Sequence, residues 1–179
     1  MNPILKSLLV FVFLAAAGFA ADTPMVAEWR KKAEAGDAAA QYKLGVMYYN
    51  GTGVPKDDAE AVKWWRKAAD QGNAPAQSNL GVMYANGTGV PKDDEEAVKW
   101  WRKAADQGNA PAQSNLGVMY DSGTGVPKDL VQAHVWWNIA GAKGDEDAKK
   151  NLGIIEKKMT SEQKAEAMKL ARDLFAKLR

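Results

Sequence analysis

The sequence predicts an all-α solenoid, a stack of two-helix units, and three observations carry that reading. A 36-residue segment recurs: Gln71–Asp106 repeats Ala35–Asp70 with 29 of 36 positions identical, and a third copy opens at Gln107 before drifting. Within each copy, apolar residues fall at helical spacing twice, with a glycine- and proline-containing stretch between the runs. All seven tryptophans keep the same period, as the pairs Trp64/Trp65, Trp100/Trp101 and Trp136/Trp137, with Trp29 lying 36 residues before Trp65. A fixed period of this length marks supersecondary units that bury their apolar faces only against neighbours.

Taken in chain order, residues 1–20 read as a secretory signal peptide. Lys6 supplies the basic region, the uncharged run from Ser7 to Ala21 the apolar one, and Gly18 and Ala20 the small residues of a cleavage site. That run is short for a membrane span. The expectation is a periplasmic or secreted protein, cleaved near Ala20, with no stable membrane insertion afterwards. The chain has no cysteine, so the exported domain is expected to stand on packing alone. Residues 21–34 then read as a lone capping helix, with Glu28 and Lys32 where later copies carry Trp64 and Ala68.

The three repeats are expected at 35–70, 71–106 and 107–142. In the second, Asn73 is a good N-cap, and Pro75 sits in the first turn, where its missing N–H is tolerated. Ala76, Leu80, Gly81 and Tyr84 share one helical face, and the glycine there predicts close approach by a neighbour. Gly87 falls where a left-handed C-cap is wanted. The second helix starts at Asp93, paired with Glu96 as a capping box that recurs as Asp57/Glu60 and Asp129/Gln132. Ala97, Trp100, Trp101, Ala104 and Ala105 form its buried stripe, and Gly108 ends it. Tryptophans spaced this way among alanines are core knobs rather than an aromatic ligand cage.

The stretch between the helices, Asn50-Gly-Thr-Gly-Val-Pro-Lys-Asp-Asp58, returns at Asn86–Asp94 and nearly so at Ser122–Asp129. It lacks the spacing of a phosphate loop and the alternating oxygen ligands of a calcium loop. Asn50 and Asn86 head Asn-Gly-Thr glycosylation patterns, of consequence only in a eukaryotic secretory host. The stretch reads as a turn: glycines stop one helix, Val-Pro stiffens the crossing, and Asp57 caps the next.

Residues 143–179 are expected to hold a degenerate half-repeat and a capping helix. Thr160/Gln163 opens that helix, and Met168, Ala171, Leu174, Phe175 and Leu178 run along one side. Repeat three carries Val131, Val135 and Ile139 where repeat two has Glu95, Lys99 and Lys103. The C-terminal helix is expected to cover this apolar stripe; weak self-association through it is the alternative.

The pattern AQxxLGxMYxxGTGVPKDxxxAxxWWxxAA, as these copies carry it, resembles the Sel-one-like repeat, a relative of the tetratricopeptide repeat, over about Ala27 to Gly153. The resemblance implies a right-handed α/α solenoid whose members mostly act as adaptors or scaffolds for other proteins.

Catalytic motifs are sparse. There is no thiol, and a single histidine, His134, rules out a histidine-rich zinc site. His134 takes the place of Val98 and reads as a packed residue. Ser161-Glu-Gln-Lys164 matches the S-x-x-K pattern of β-lactam enzymes, but its companion elements are missing and Ser161 belongs to a helix cap. A cell-wall or β-lactam-active enzyme is therefore the minor alternative. No catalytic residue, metal or cofactor is assigned. A net charge of +2 makes no case for nucleic acid.

The copies differ at Tyr42/Ser78/Ser114, Lys43/Asn79/Asn115, Tyr49/Ala85/Asp121 and Asn50/Asn86/Ser122, which cluster away from the stacking face of the first helix. In related solenoids this face lines a concave groove. The candidate partner-binding set is therefore Tyr42, Lys43, Tyr49, Asn50, Ser78, Asn79, Ser114, Asn115 and Asp121. Its occupant would be another protein or peptide. An inhibitor or immunity-type protein that neutralises an effector is the alternative within the same class.

Overall fold

A computed structural model describes residues 23–178, and the expected leader lies outside them. The described residues form nine helices: α1 (Pro24–Glu34), α2 (Ala38–Asn50), α3 (Asp58–Asp70), α4 (Ala74–Asn86), α5 (Asp94–Ala105), α6 (Ala110–Ser122), α7 (Leu130–Ala142), α8 (Glu146–Ile155) and α9 (Ser161–Lys177). Helices α2, α4, α6 and α8 are the first helices of successive units, and α3, α5 and α7 the second. Helices α2, α4 and α6 each pack on their own second helix and on the helix before it, while α8 packs on α7 alone among the second helices. The core accordingly runs along the stack as three clusters, around Leu44 and Trp64, around Trp65 and Leu80, and around Leu116 and Trp137.

The tryptophan–glycine pairing sets the spacing within each unit. Trp65, Trp101 and Trp137 donate Nε1–H to the carbonyls of Tyr42, Ser78 and Ser114 at 3.2, 3.1 and 3.1 Å. Their indoles lie so close over Gly45, Gly81 and Gly117 that a Cβ would stand within 2.6 Å of ring atoms at each. The close approach expected at Gly81 is therefore made by the indole of the same unit. The tryptophan before each one faces the preceding unit: Trp64 packs with Val26, Leu44 and Met47, and Trp100 with Trp65 and Leu80.

Turn chemistry closes each unit. The first helices end at Gly51, Gly87 and Gly123, all left-handed with φ of 69°, 67° and 76°. The Asp57, Asp93 and Asp129 N–H groups then donate back to the carbonyls of Tyr48, Tyr84 and Tyr120, fixing the loop between. At the other end of each unit, Gly72 and Gly108 close Schellman turns, and the next residue, Asn73 or Asn109, is at once the end of that turn and the N-cap of the following helix.

Two sequence expectations are corrected. The Asp57, Asp93 and Asp129 side chains cap their helices, but the reciprocal bonds of a capping box are absent: Glu60 and Glu96 turn outward to Lys63 and Lys99. An (i, i+3) ion pair with a cation draws those two glutamates away; Gln132 has no such pair and still makes no reciprocal bond, and the box is formed in full at Thr160/Gln163 alone among these four caps. The buried side of α9 runs through Ala167 and Ala171, with Leu174, Phe175 and Leu178 half-buried, whereas Met168 is 51% exposed. One residue is 100° of helix, enough to turn Met168 out. The stripe of α7 is covered as expected: α9 packs directly on α7, and Val135 and Ile139 are buried.

Units are also joined by polar rungs. Gln41, Gln77 and Gln113, all buried, donate to the last-turn carbonyls of Ala33, Ala69 and Ala105 at 2.9–3.0 Å. The Oε1 atoms of Gln41 and Gln77 accept from Gln71 and Gln107, each at 2.7 Å. In the third unit the donor position is Lys143, which reaches Gly108 O instead and leaves Gln113 Oε1 buried without a partner. A second rung runs from Arg30, Arg66 and Arg102 to the hydroxyls of Tyr48, Tyr84 and Tyr120. It ends where Asn138 and Glu156 take those two positions, and the fully buried His134 meets Glu156 at 3.2 Å.

Four stability outcomes follow, each read from urea unfolding. Gly81→Ala should cost about 1–3 kcal/mol because the Trp101 indole must move, while Gly153→Ala, helical with open space around it, should gain roughly 0.5–1 kcal/mol. Lys143→Gln should complete the third glutamine rung and stabilise by about 1 kcal/mol; a loss would show that Gln113 Oε1 does not need a donor. Removal of residues 160–179 should destabilise by roughly 3–6 kcal/mol, since Val135, Ile139 and their partners on α9 lose their burial.

Candidate functional site

Surface-facing residues of the first helices form two adjoining hollows at the N-terminal end of the stack. One, of about 280 Å³, lies between α2 and α4, with Tyr42, Val46 and Tyr49 on one wall, Asn79 and Val82 on the other, and Trp65 behind. The other, of about 320 Å³, lies between α1 and α2 and takes in Met25, Trp29 and Lys43. Tyr42 and Val46 line both, so the two hollows share a wall.

These side chains are held by local contacts. The Tyr49 ring tilts against Trp65 with centroids 5.5 Å apart, which ties the outer wall to the tryptophan that locks the unit. The Lys43 ammonium sits 3.9 Å from the centre of the Trp29 ring, and that of Lys56 5.3 Å from the centre of Tyr49. Lys43 is thereby steadied by a cation–π contact while its charge stays at the surface.

The structure brings together Tyr42, Lys43, Tyr49 and Asn79 of the sequence-derived set. Asn115 and Asp121 lie further along the same face, by the 36-residue symmetry, and both are half-buried. Asn50 is exposed at the last residue of α2 and lines neither hollow. Ser78 is corrected: it is 6% exposed, and what it supplies is its main-chain carbonyl, to Trp101. Ser114 gives its carbonyl to Trp137 in the same way and is half-buried.

One set of surface residues is invisible to a comparison of copies. Val46, Val82 and Val118 are identical, and Ile154 follows at the same spacing. Val46 and Val82 floor the first hollow, and Val118 and Ile154 are each 46% exposed. Together they form an apolar line along the first-helix face. Their signal in the sequence was an apolar residue one place before the buried Met47, Met83 and Met119, on the rim of the stacking face.

The face offers apolar floor, hydroxyls and amides, with Lys43 and, on α8, Lys150 as cations, which suits binding. Among the described residues no group of three or more His, Asp or Glu side chains could hold a metal ion. Ser161 is the exposed first residue of α9, within its cap.

Comparison with known proteins matches the Sel1 repeat model three times, at residues 38–73, 74–109 and 110–145. Among solved structures, c5321, a protective antigen present in uropathogenic Escherichia coli strains, is 39% identical with a TM-score of 0.79 over 86% of this chain and 33% of that one. A Sel1 repeat protein from Oxalobacter formigenes is 42% identical, with a TM-score of 0.64 over 66% of this chain and 47% of that one. The chain thus spans less than half the length of either relative. A comparison with curated proteins returns no match.

Proposed function

The chain belongs to the Sel1 repeat family, and on that premise we propose that it is a non-catalytic interaction module, an adaptor or scaffold that binds another protein along its first-helix face. Sel1 repeats typically bind proteins. The observation that carries the assignment to this face is the hollow between α2 and α4. It has an apolar floor in Val46 and Val82, and its rim bears Tyr42, Tyr49 and Asn79, whose side-chain hydroxyls and amide make no hydrogen bond with the described residues. Tyrosine and asparagine rims of this kind bury area at small entropic cost and hydrogen-bond adaptably. The apolar leader of residues 1–20 supports export, so the proposed place of action is the periplasm or the cell exterior.

The test is affinity capture from the cell envelope with the mature protein, read by mass spectrometry. The Tyr42→Ala/Tyr49→Ala double variant should lose its captured partner several-fold while still unfolding cooperatively, at a lowered midpoint because Tyr42 packs against the core and Tyr49 against Trp65. Equal capture by the variant and the wild type would overturn the assignment to this face.

A further inference from the structure

Repetition makes the first-helix face a graded series rather than a uniform one. Position 43 and its equivalents read Lys43, Asn79, Asn115 and Asn151; Lys43 is exposed, the three asparagines are half-buried, and their amides hydrogen-bond to no described residue. A carboxamide offers two donors and an acceptor, the complement of a peptide group. A row of them beside the Val46, Val82, Val118, Ile154 line matches an extended chain, which presents main-chain amides along one edge and side chains to either face.

Two positions along this face carry opposite charge. Lys43 stands at the head of the row, steadied over Trp29. Asp121 occupies the place that Tyr49 has in the first hollow, two units on; it makes no ion pair with the described residues, and its Oδ1 is buried without a donor. A carboxylate held partly out of water and left unpaired is costly, and a bound cation or N–H donor relieves that cost. Neighbouring helices lie about 8–10 Å apart, and the six-residue offset between equivalent positions 43 and 49 adds about 9 Å along the helix. Lys43 and Asp121 are therefore roughly 20 Å apart, which an extended strand at about 3.3 Å per residue spans in about six residues.

We propose that the first-helix face takes an extended peptide segment of the partner, with an acidic group at Lys43, a basic group about six residues away at Asp121, apolar side chains on the valine line between them, and its main chain held by Asn79 and Asn115. This rests on the binding face proposed above and names the chemistry of what it holds.

The test is selection from a displayed library of random dodecapeptides on three immobilised proteins. Wild type should enrich peptides with one acid and one base about six residues apart. Lys43→Asp should enrich peptides basic at both places, and Asp121→Lys peptides acidic at both; this readout does not depend on which way the peptide runs. A synthesised, fluorescein-labelled winner should bind the Asn79→Ala/Asn115→Ala variant about tenfold more weakly by anisotropy. No enrichment on wild type, enrichment without the charge pair, or a pattern that Lys43→Asp and Asp121→Lys leave unmoved would each overturn the proposal, as would undiminished binding by the asparagine variant. Capture from the envelope that still depends on Tyr42 and Tyr49 would then leave the binding face standing and remove only this peptide chemistry.

Discussion

The contact on which the stack depends is an indole laid across a glycine. Trp65, Trp101 and Trp137 each cover a helical glycine of their own unit and donate to a main-chain carbonyl 23 residues back. Two requirements are met at once. The indole N–H, which burial would otherwise leave unpaired, finds an acceptor, and the large ring occupies the depth that a missing Cβ leaves open. The two helices of a unit can therefore sit at only one separation and one register. Because the acceptor is a carbonyl, the side chain at that residue is released from the duty, so Tyr42, Ser78 and Ser114 can differ without disturbing the lock. Core invariance and surface variation are thus carried by the main chain and the side chain of the same residue.

The lock builds a unit, and polar rungs tie units together. The buried glutamines satisfy carbonyls at the end of the preceding second helix, which the Schellman turn alone leaves with spare acceptor capacity. The arginine–tyrosine rungs do the same work nearer the surface. Such rungs need both partners, and this explains how the stack ends. Where the fourth unit has Glu156 in place of tyrosine, the preceding helix has Asn138 in place of arginine, and His134 has moved in to meet the carboxylate. The drift of the third copy is a change of several residues that depend on one another. Its replacement of Glu95, Lys99 and Lys103 by Val131, Val135 and Ile139 belongs to the same change, because α9 lies on that face.

Most of the architecture was legible in the sequence because its determinants are local or periodic. Helix caps, left-handed glycines and tryptophan spacing each act within a few residues of where they are written. Long-range polar partners were not legible. Nothing around Gln77 announces that its amide reaches Ala69 on one side and Gln107, 30 residues on, at the other. Two of the capping boxes misled because glutamate at the third position, Glu60 or Glu96, serves equally well in an ion pair with the lysine that follows. The candidate site divides the same way. Variation between copies located the right helix face, since residues outside the lock are free to differ. It could not separate a variable side chain on the surface from one packed inside, as at Ser78, and it passed over Val46, Val82 and Val118, whose identity resembles that of the core.

Those valines bear on what the face does. Val118 keeps nearly half of its surface in water, so it gains far less from burial on folding than the fully buried Leu116 beside it. Folding therefore makes little demand for an apolar residue at position 118 or at its equivalent, Ile154, and a polar residue there would spare the surface an exposed hydrophobe. The gain an exposed aliphatic can make is area buried later, against something else. Tyr42 and Tyr49 deepen the same line at one end, with Tyr49 resting on the lock's own Trp65, and Asp121 charges it further along. The stack can change what it presents along this face without breaking the lock, because the indole, the glycine and the carbonyl that form it are not among the side chains that vary.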